Sequence, residues 1–407
     1  MHIALVTDYY LPTLGGVQTA VKAHAETLRA AGHEVTVFCP LAGPSGDPGV
    51  VALPISRFFR PDGYPFTWPP RKAVRLLRDE FARRRIDVVH THAEMFAALA
   101  GIRAAQELGI ALVHTMHGRI DVYTANVLPL PALTTHILGW LHRRQVSHLG
   151  IEIKDEAAYT QTRAARAMWR LMLAQSRASD HVIVPSEHFR AKLADQGVAT
   201  PMTVLSNGLE DSVLTQIGQP APRRLTAGEP LRLLWVGRIS PEKRPEVFVR
   251  AMAALGGSVT ADMYGDGVAR RELSRAPGGV RLHGSVPQAE ILQAMSRAHA
   301  LVSTSYDFDN QPMVMLEAIA SGLPIIFCDP DLGEVVPDEA GFLTPSPDTH
   351  GLVAAVTAIL DDPAAIARAS QAAIQARSRA ASNAAGLEQV YEAAIRAAAA
   401  RPRNSSH

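Results

Sequence analysis

Short apolar runs alternate with longer amphipathic stretches along most of the chain, starting with "HIALVTD" at residues 2–8 and "EVTVFC" at residues 34–39. Runs of this length read as strands, and the stretches between them place apolar residues at helical spacing. The alternation therefore predicts repeated βα units and parallel sheets. "DVVHTH", "ALVHTMH" and "HVIVPS" continue the first series. Residues 218–230, "GQPAPRRLTAGEP", then break the pattern with Pro, Gly and polar residues, and a second series follows in "RLLWVG", "TADMYGDG", "VRLHG", "ALVSTS" and "PIIFCD". The expected fold is α/β, with two doubly wound Rossmann-like domains. The expected division is residues 1–217, a linker at 218–230, a second domain at 231–382, and a helix from about residue 383 that packs back on the first domain and ends in a disordered tail, "RPRNSSH".

A chain of 407 residues, 47% hydrophobic and 19% charged, is long enough for two such cores. The formal charge of +1 carries no nucleic-acid signature, and none is expected as a partner. Cys39 and Cys328 each close an apolar run outside any metal or redox spacing, which suits small core residues in a reducing compartment. "MHIALVTDYYLP" is too short and too polar for a signal peptide, and no apolar run nears the roughly 18 residues of a spanning helix. The chain reads as cytoplasmic, with membrane contact confined to a surface.

Three stretches suit an anionic ligand. Gly15 and Gly16 follow the first strand and open a helix, where backbone N–H groups can approach an anion; the same pair also suits a plain tight turn. In "LLWVGRISPEKRPE", Arg238 leaves a strand end and Lys243 follows across a turn, a pair suited to a diphosphate; alternatively Glu242 and Glu246 simply balance these loop charges. In "YDFDNQPMVMLEAIASGLP", Asp309 or Asn310 is placed to cap a helix with Pro312 in its first turn, leaving the N–H groups of Met313 and Val314 to an anion. Glu317 lies among apolar residues further along, where an ionised carboxylate needs hydrogen-bond donors such as ribose hydroxyls.

Together "VGRISPEKRPE", the Asp309-x7-Glu317 stretch, the early "GGVQ" and "VLSNGLE" resemble the retaining glycosyltransferases of family 4, which have the GT-B architecture of two domains facing across a cleft. The resemblance covers nearly the whole chain. It implies that Arg238 and Lys243 hold a donor diphosphate and Glu317 its ribose, with Asn310, Gln311, Met313 and Val314 alongside. It further implies that Asp309 meets the transferred sugar, that Gly16 backs the diphosphate, and that His117 in "HTMHGR" lies beside the donor sugar. The catalytic set so implied is His117, Asp309, Arg238 and Lys243, with a UDP- or GDP-sugar as donor and no metal or other cofactor. One departure stands out: the family pattern usually has Glu at both ends of the gap, whereas Asp309 is shorter by a methylene. The family retains anomeric configuration, and the departing phosphate is taken to accept the acceptor's proton, with no enzymic nucleophile.

His90, His92, His114 and His117 fall near the ends of two strands, so a zinc cluster is conceivable, but no Cys or carboxylate completes a familiar spacing and no metal is expected. For the acceptor, residues 71–85 carry seven basic and two acidic side chains at amphipathic spacing, just after the aromatic and basic "RFFRPDGYPFTWPP". Residues 57–85 thus suit an anionic membrane surface, or equally a solvated helix covering the first sheet. "HGRIDVYTANVLPLP" is similar to the acceptor-side stretch of diacylglycerol glycosyltransferases, and "DNQPMVMLEA" to their Gln-containing version of the Glu motif. That places Arg119, Asp121 and Tyr123 on the acceptor side and favours a lipid or lipid-linked acceptor, with a soluble sugar, polyol or polysaccharide as the alternative. An isomerase or phosphorylase on the same fold, or a nucleotide-sugar sensor without turnover, are the competing classes.

Overall fold

The computed structural model describes residues 1–11, 15–43, 45–57, 60, 64–127, 130–273 and 279–401. Phe58 and Phe59 of the aromatic segment, Leu128 and Pro129 of "HGRIDVYTANVLPLP", and the tail from Pro402 lie outside the described residues. Two compact units emerge, one formed by Met1–Asn207 with the residues from Ser382 on, the other by Gly208–Ala381.

The first unit runs β1 (His2–Thr7), α1 (Gly16–Ala30), β2 (Glu34–Pro40), β3 (Val50–Leu53), α2 (Pro70–Arg84), β4 (Val88–His92), α3 (Phe96–Leu108), β5 (Ala111–Thr115), α4 (Ile120–Val127), α5 (Pro131–Arg143), α6 (Arg163–Ala178), β6 (His181–Val184), α7 (Glu187–Asp195) and β7 (Met202–Val204). Its seven strands are parallel in the order β3-β2-β1-β4-β5-β6-β7. β3 and β7, of four and three residues, were not anticipated; runs this short show no period. β4 and β5 are buried at every position, as in sheets covered on both faces.

The second unit runs α8 (Asp211–Ile217), β8 (Leu231–Val236), α9 (Pro245–Leu255), β9 (Val259–Tyr264), α10 (Arg270–Leu273), β10 (Val280–Gly284), α11 (Gln288–Arg297), β11 (Ala300–Ser303), α12 (Met313–Ala320), β12 (Ile325–Phe327), β13 (Gly341–Leu343), α13 (Thr349–Asp361) and α14 (Ala364–Gln375). Its six parallel strands lie in the order β10-β9-β8-β11-β12-β13. Both units are thus doubly wound, as expected.

The division falls after Asn207, not after residue 217, and residues 218–230 belong to the second unit. Hydrogen bonds explain why. Leu209 N–H donates to the Ala380 carbonyl at 2.7 Å, the Arg377 guanidinium to the Leu214 carbonyl at 2.8 Å, and Arg223 N–H to Ser370 Oγ at 2.8 Å. A Pro- and Gly-rich composition signals irregular backbone, and here that backbone is fastened along its length. The last helix, α15 (Ala384–Ala399), sends Leu387, Val390, Tyr391 and Ala394 into the core around Ile3, Leu5 and Val113 of the first sheet.

The basic helix of residues 71–85 is α2, and its apolar face is spent internally. Ala73, Val74, Leu77 and Phe81 are buried in one core cluster with Val6 and Phe38, leaving Arg71, Lys72, Arg75, Arg78 and Arg83 outward. Of the two readings, the helix covering the first sheet is the one observed; α2 has no apolar face left to insert, and what it presents is charge alone. Among the described residues no helix is long and apolar enough to cross a membrane.

Candidate active site

In the second sheet β8 lies between β9 and β11, so the connections leaving β8 and β11 diverge and open a crevice at their C-terminal ends. Arg238 and Lys243 follow β8, and residues 304–312 follow β11. Arg238 is one-third exposed and pairs at 3.2 Å with Glu242, whose side chain is fully buried and also accepts from Ser240 Oγ at 2.6 Å. Glu242 is thus no solvated counter-charge: it fixes the guanidinium from beneath. Lys243 Nζ donates to both oxygens of Asp309, at 2.6 and 2.7 Å, with the Phe308 ring centroid 5.3 Å away. A relay holds the backbone there, Trp235 Nε1 donating to Thr304 Oγ1 at 3.0 Å and Thr304 donating to the Lys243 carbonyl at 2.7 Å.

The β8 and β9 loops also lie in direct backbone contact. Gly237 N–H donates to the Tyr264 carbonyl at 3.1 Å, and Gly265, at φ +131°, would place a Cβ 1.9 Å from the Gly237 carbonyl oxygen. Only glycine fits that approach.

α12 starts at Met313 with Pro312 as its N-cap and no side-chain capping bond, so neither Asp309 nor Asn310 caps it. Asp309 is turned to Lys243 instead; an ammonium donating to both carboxylate oxygens outweighs a single backbone N–H. As the first residues of the helix, Met313 and Val314 have no intrahelical acceptor for their N–H groups, and Pro312 has none to offer. Asn310 is buried beside this start, while Gln311 and Val314 are half-buried. Glu317 is buried on the same helix and accepts from Gln288 Nε2 at 2.6 Å. Burial pushes its carboxyl up to about 7; Gln288 opposes this, and Glu210 adds to it.

In the first sheet the corresponding divergence lies between β1 and β4. Gly15 is the N-cap of α1 and Gly16 its first residue, both exposed, and φ at Gly15 is extended rather than left-handed. His92 Nδ1 lies 2.9 Å from His117 Nε2 with the rings stacked 5.2 Å apart, and His90 bonds Tyr391 Oη at 2.8 Å and Thr115 Oγ1 at 2.6 Å. Burial lowers His117 to about 3 and His24 to about 4, and takes His90 and His92 well below the usual imidazole range, with neighbouring rings further depressing His117, His90 and His92. His117 is therefore neutral at working pH. Asp8, at the end of β1, accepts N–H bonds from Met95 at 3.0 Å and Ala97 at 2.7 Å at the start of α3, yet burial raises it to about 7. Glu94 beside it is raised to about 8 by burial and by Asp8.

The ring nitrogens of His24, His90 and His92 fall within 4.8 Å of one another, close enough to hold a metal. Both nitrogens of His90 are already engaged, by Tyr391 and Thr115, and no carboxylate joins the group, while His24 Nδ1 and His92 Nε2 are buried without a hydrogen-bond partner among the described residues. His114 bonds Thr91 Oγ1 at 2.8 Å and stays outside it.

Arg119 and Asp121 are buried and bind each other bidentately, at 2.8 and 2.7 Å, with Trp169 Nε1 donating to Asp121 at 3.3 Å. The sequence placed both on an acceptor surface. The structure makes them a core ion pair under Tyr159 and Trp169, because two opposite charges two residues apart satisfy each other on burial. Tyr123 alone of the three is half-exposed.

Sequence reading missed Thr304, Gln288, Asp8, Glu94 and His24, and took Glu242 only as a loop counter-charge. Asp8 and Glu94 carried a usable signal, since each is a carboxylate just past a strand that ends at the switch point. The others act through tertiary neighbours that no local spacing shows.

Residues 14–213 match the model of Glycosyltransferase Family 4, and residues 230–362 that of Glycosyl transferases group 1. The chain is 25% identical over 399 residues to a GDP-mannose-dependent alpha-mannosyltransferase of Mycobacterium tuberculosis, covering 93% of each chain. It is also 25% identical to an alpha-monoglucosyldiacylglycerol synthase of Streptococcus pneumoniae, covering 83% of this chain and 74% of that one. Among solved structures, sucrose-phosphate synthase from Thermosynechococcus elongatus superposes with a TM-score of 0.68 at 20% identity, covering 96% of this chain and 98% of its own, a likeness of fold.

Proposed function

The chain belongs to the glycosyltransferases of family 4, and on that premise we propose that it is a retaining, metal-independent hexosyltransferase. In this reading it moves a hexose from a UDP- or GDP-sugar to a hydroxyl of a lipid or lipid-linked acceptor and forms an α-glycosidic bond. The observation that carries the reading is the convergence of Arg238, Lys243, the start of α12 and Glu317 at the β8/β11 divergence. Two cations and free helix N–H groups suit a diphosphate, and a buried carboxylate with one donor, Gln288, has acceptor capacity left for ribose hydroxyls.

During transfer the bond from the anomeric carbon to the phosphate oxygen breaks, and a bond from that carbon to the acceptor oxygen forms on the same face. The acceptor's proton passes to the departing phosphate. Negative charge builds on that phosphate, so Arg238 and Lys243 stabilise the transition state more than the ground state. Asp309 holds Lys243 until the donor arrives and then accepts from the sugar's hydroxyls. His117, in the first unit, is kept neutral by burial.

A lipid acceptor is supported by the S. pneumoniae relative's name and by the "HGRIDVYTANVLPLP" stretch. It would place the enzyme peripherally on the cytoplasmic face of a membrane. Transfer to a soluble sugar or polyol has its own observation in Asp8 and Glu94, two carboxyl groups that can bind hydroxyls at the β1/β4 divergence.

The test incubates the protein with UDP-glucose or GDP-mannose, and either diacylglycerol in vesicles or a panel of soluble sugars, with chelator in one series and added magnesium in a parallel one. An organic-phase product with an α anomeric coupling in its proton spectrum is expected. A product confined to the aqueous phase would favour the second reading, and a β-linked product or dependence on added metal would overturn the mechanism.

A further inference from the structure

Apolar surface on this protein is unevenly placed. Of eleven large hydrophobic residues that are exposed among the described ones, five fall between residues 130 and 149: Leu130, Leu133, Ile137, Trp140 and Leu149, at 72, 55, 46, 44 and 85% exposure. Leu133, Ile137 and Trp140 stand at helical spacing on one face of α5. The opposite side of the helix is already used: Thr135 and His142 are buried, and Leu138 and Leu141 pack on the core of the first unit. α5 is therefore apolar on two sides, and only one of them is covered.

Along the chain the charge at this stripe has a single sign. No Asp or Glu occurs from residue 122 to residue 151. At the C-terminal end of α5 a pocket of 610 Å³ is lined by Arg143, Arg144, Ser147, His148, Leu149 and Arg170. None of these three arginines forms an ion pair among the described residues, and Arg144 lies over the Trp140 ring at 3.7 Å. Burial first, and then the fields of Arg143, Arg170 and Arg177, lower His148 to about 4. An exposed Trp flanked by Leu and Ile, with guanidiniums gathered at one end, is the composition of a helix that lies in a membrane interface.

We propose that the outer face of α5 is a membrane-docking surface, with Leu133, Ile137 and Trp140 seated at the acyl boundary and Arg143, Arg144 and Arg170 taking the phosphates of anionic phospholipid headgroups. This replaces α2 as the apolar contact, since α2 has only charge to present. The inference rests on the lipid-acceptor reading for its purpose, while its evidence is the surface itself. An anionic bilayer fits better than a second copy of the chain: two copies meeting through α5 would bring the same unpaired arginines together with no carboxylate to receive them.

The test is co-sedimentation of the full chain with vesicles of phosphatidylcholine alone or of equal parts phosphatidylcholine and phosphatidylglycerol. The wild type should sediment with the mixed vesicles, with a blue shift in Trp140 emission that Trp140→Phe removes while keeping the binding. Leu133→Ser/Ile137→Ser/Trp140→Ser should weaken binding by at least about tenfold, and Arg143→Ser/Arg144→Ser by roughly thirtyfold on the mixed vesicles. Arg75→Ser/Arg78→Ser on α2 should change it far less. The proposal is overturned if the wild type ignores both vesicles, if the α5 variants bind as well as the wild type, or if the wild type is a dimer that the α5 substitutions split. Titration of each variant with UDP and GDP separates the two ideas: lost vesicle binding with intact diphosphate binding concerns this surface alone, and a failed titration of the wild type concerns the donor site alone.

Discussion

Glu317 shows how a residue can serve a site at the expense of stability. Its carboxyl is raised from 4.5 to about 7, so between those values the folded state holds a proton that the unfolded state has released. Stability from this group is present below pH 4.5 and is lost as pH rises to 7, a cost on the order of a few kcal/mol at pH 8. Glu317→Gln should therefore melt higher than the wild type at pH 8, with the gap closing towards pH 4.5, while binding the nucleoside diphosphate more weakly. Equal melting curves at pH 8 would show that the burial cost is met elsewhere. Asp309 makes a second case. Its ion pair with Lys243 competes with phosphate for the same ammonium, so Asp309→Asn should bind UDP or GDP about fivefold more tightly, from ~1 kcal/mol released in a part-exposed pair. Turnover should fall at the same time, because the neutral amide accepts less strongly from sugar hydroxyls. Steady-state kinetics would read this as a drop in kcat without a rise in KM. The Arg238, Lys243 and Glu317 positions were legible in the chain because each sits at a fixed offset from a strand end or helix start. The buried partners Thr304 and Gln288 were not, since their roles depend on which loops meet in three dimensions, and Glu242 was legible only as a counter-charge, without its burial.

At the scale of elements, the loops after β8 and β9 act as one piece, joined by backbone bonds from Gly237 to Tyr264 and from Ile239 to Asp266 at 3.1 and 2.9 Å. Gly265→Ala would drive a Cβ into the Gly237 carbonyl and force the Arg238 loop away, at a cost of roughly 2–4 kcal/mol in stability. Diphosphate affinity should fall with it. Chemical denaturation and a diphosphate titration of the same sample check both effects, and an unchanged midpoint would mean that the loop moves aside freely. The long elements were readable from their period, and so was the doubly wound order. β3, β7 and β13 were not, because three or four residues cannot display alternation. The part played by α2 was left open by the sequence for a related reason. Amphipathic spacing shows that a helix has an apolar face, and only packing decides whether that face is covered: α2 buries its own, and α5 has a second one outside.

At the scale of the molecule, the two units differ in what acid does to them. In the first, His24, His90, His92, His114, His117 and His142 are all held below the usual imidazole value of 6.5 by burial. Below pH 6.5 the unfolded chain takes up protons that these folded imidazoles refuse, so their contribution is lost as pH falls towards 4. Asp8 and Glu94, raised to about 7 and about 8, work in the opposite direction but are outnumbered. Hydrogen exchange followed by peptide from pH 7 to pH 4.5 should show β4 and β5 losing protection before β8 and β11, and the reverse order would contradict this balance. The central claim, that the β8/β11 divergence is a nucleotide-sugar site, is tested most directly by calorimetric titration with UDP, GDP and ADP in chelator, repeated on Lys243→Ala. The account predicts that a nucleoside diphosphate binds without metal and that the variant loses roughly tenfold to a hundredfold in affinity, the loss of a charged hydrogen bond. Absence of binding by all three, or equal binding by the variant, would contradict it.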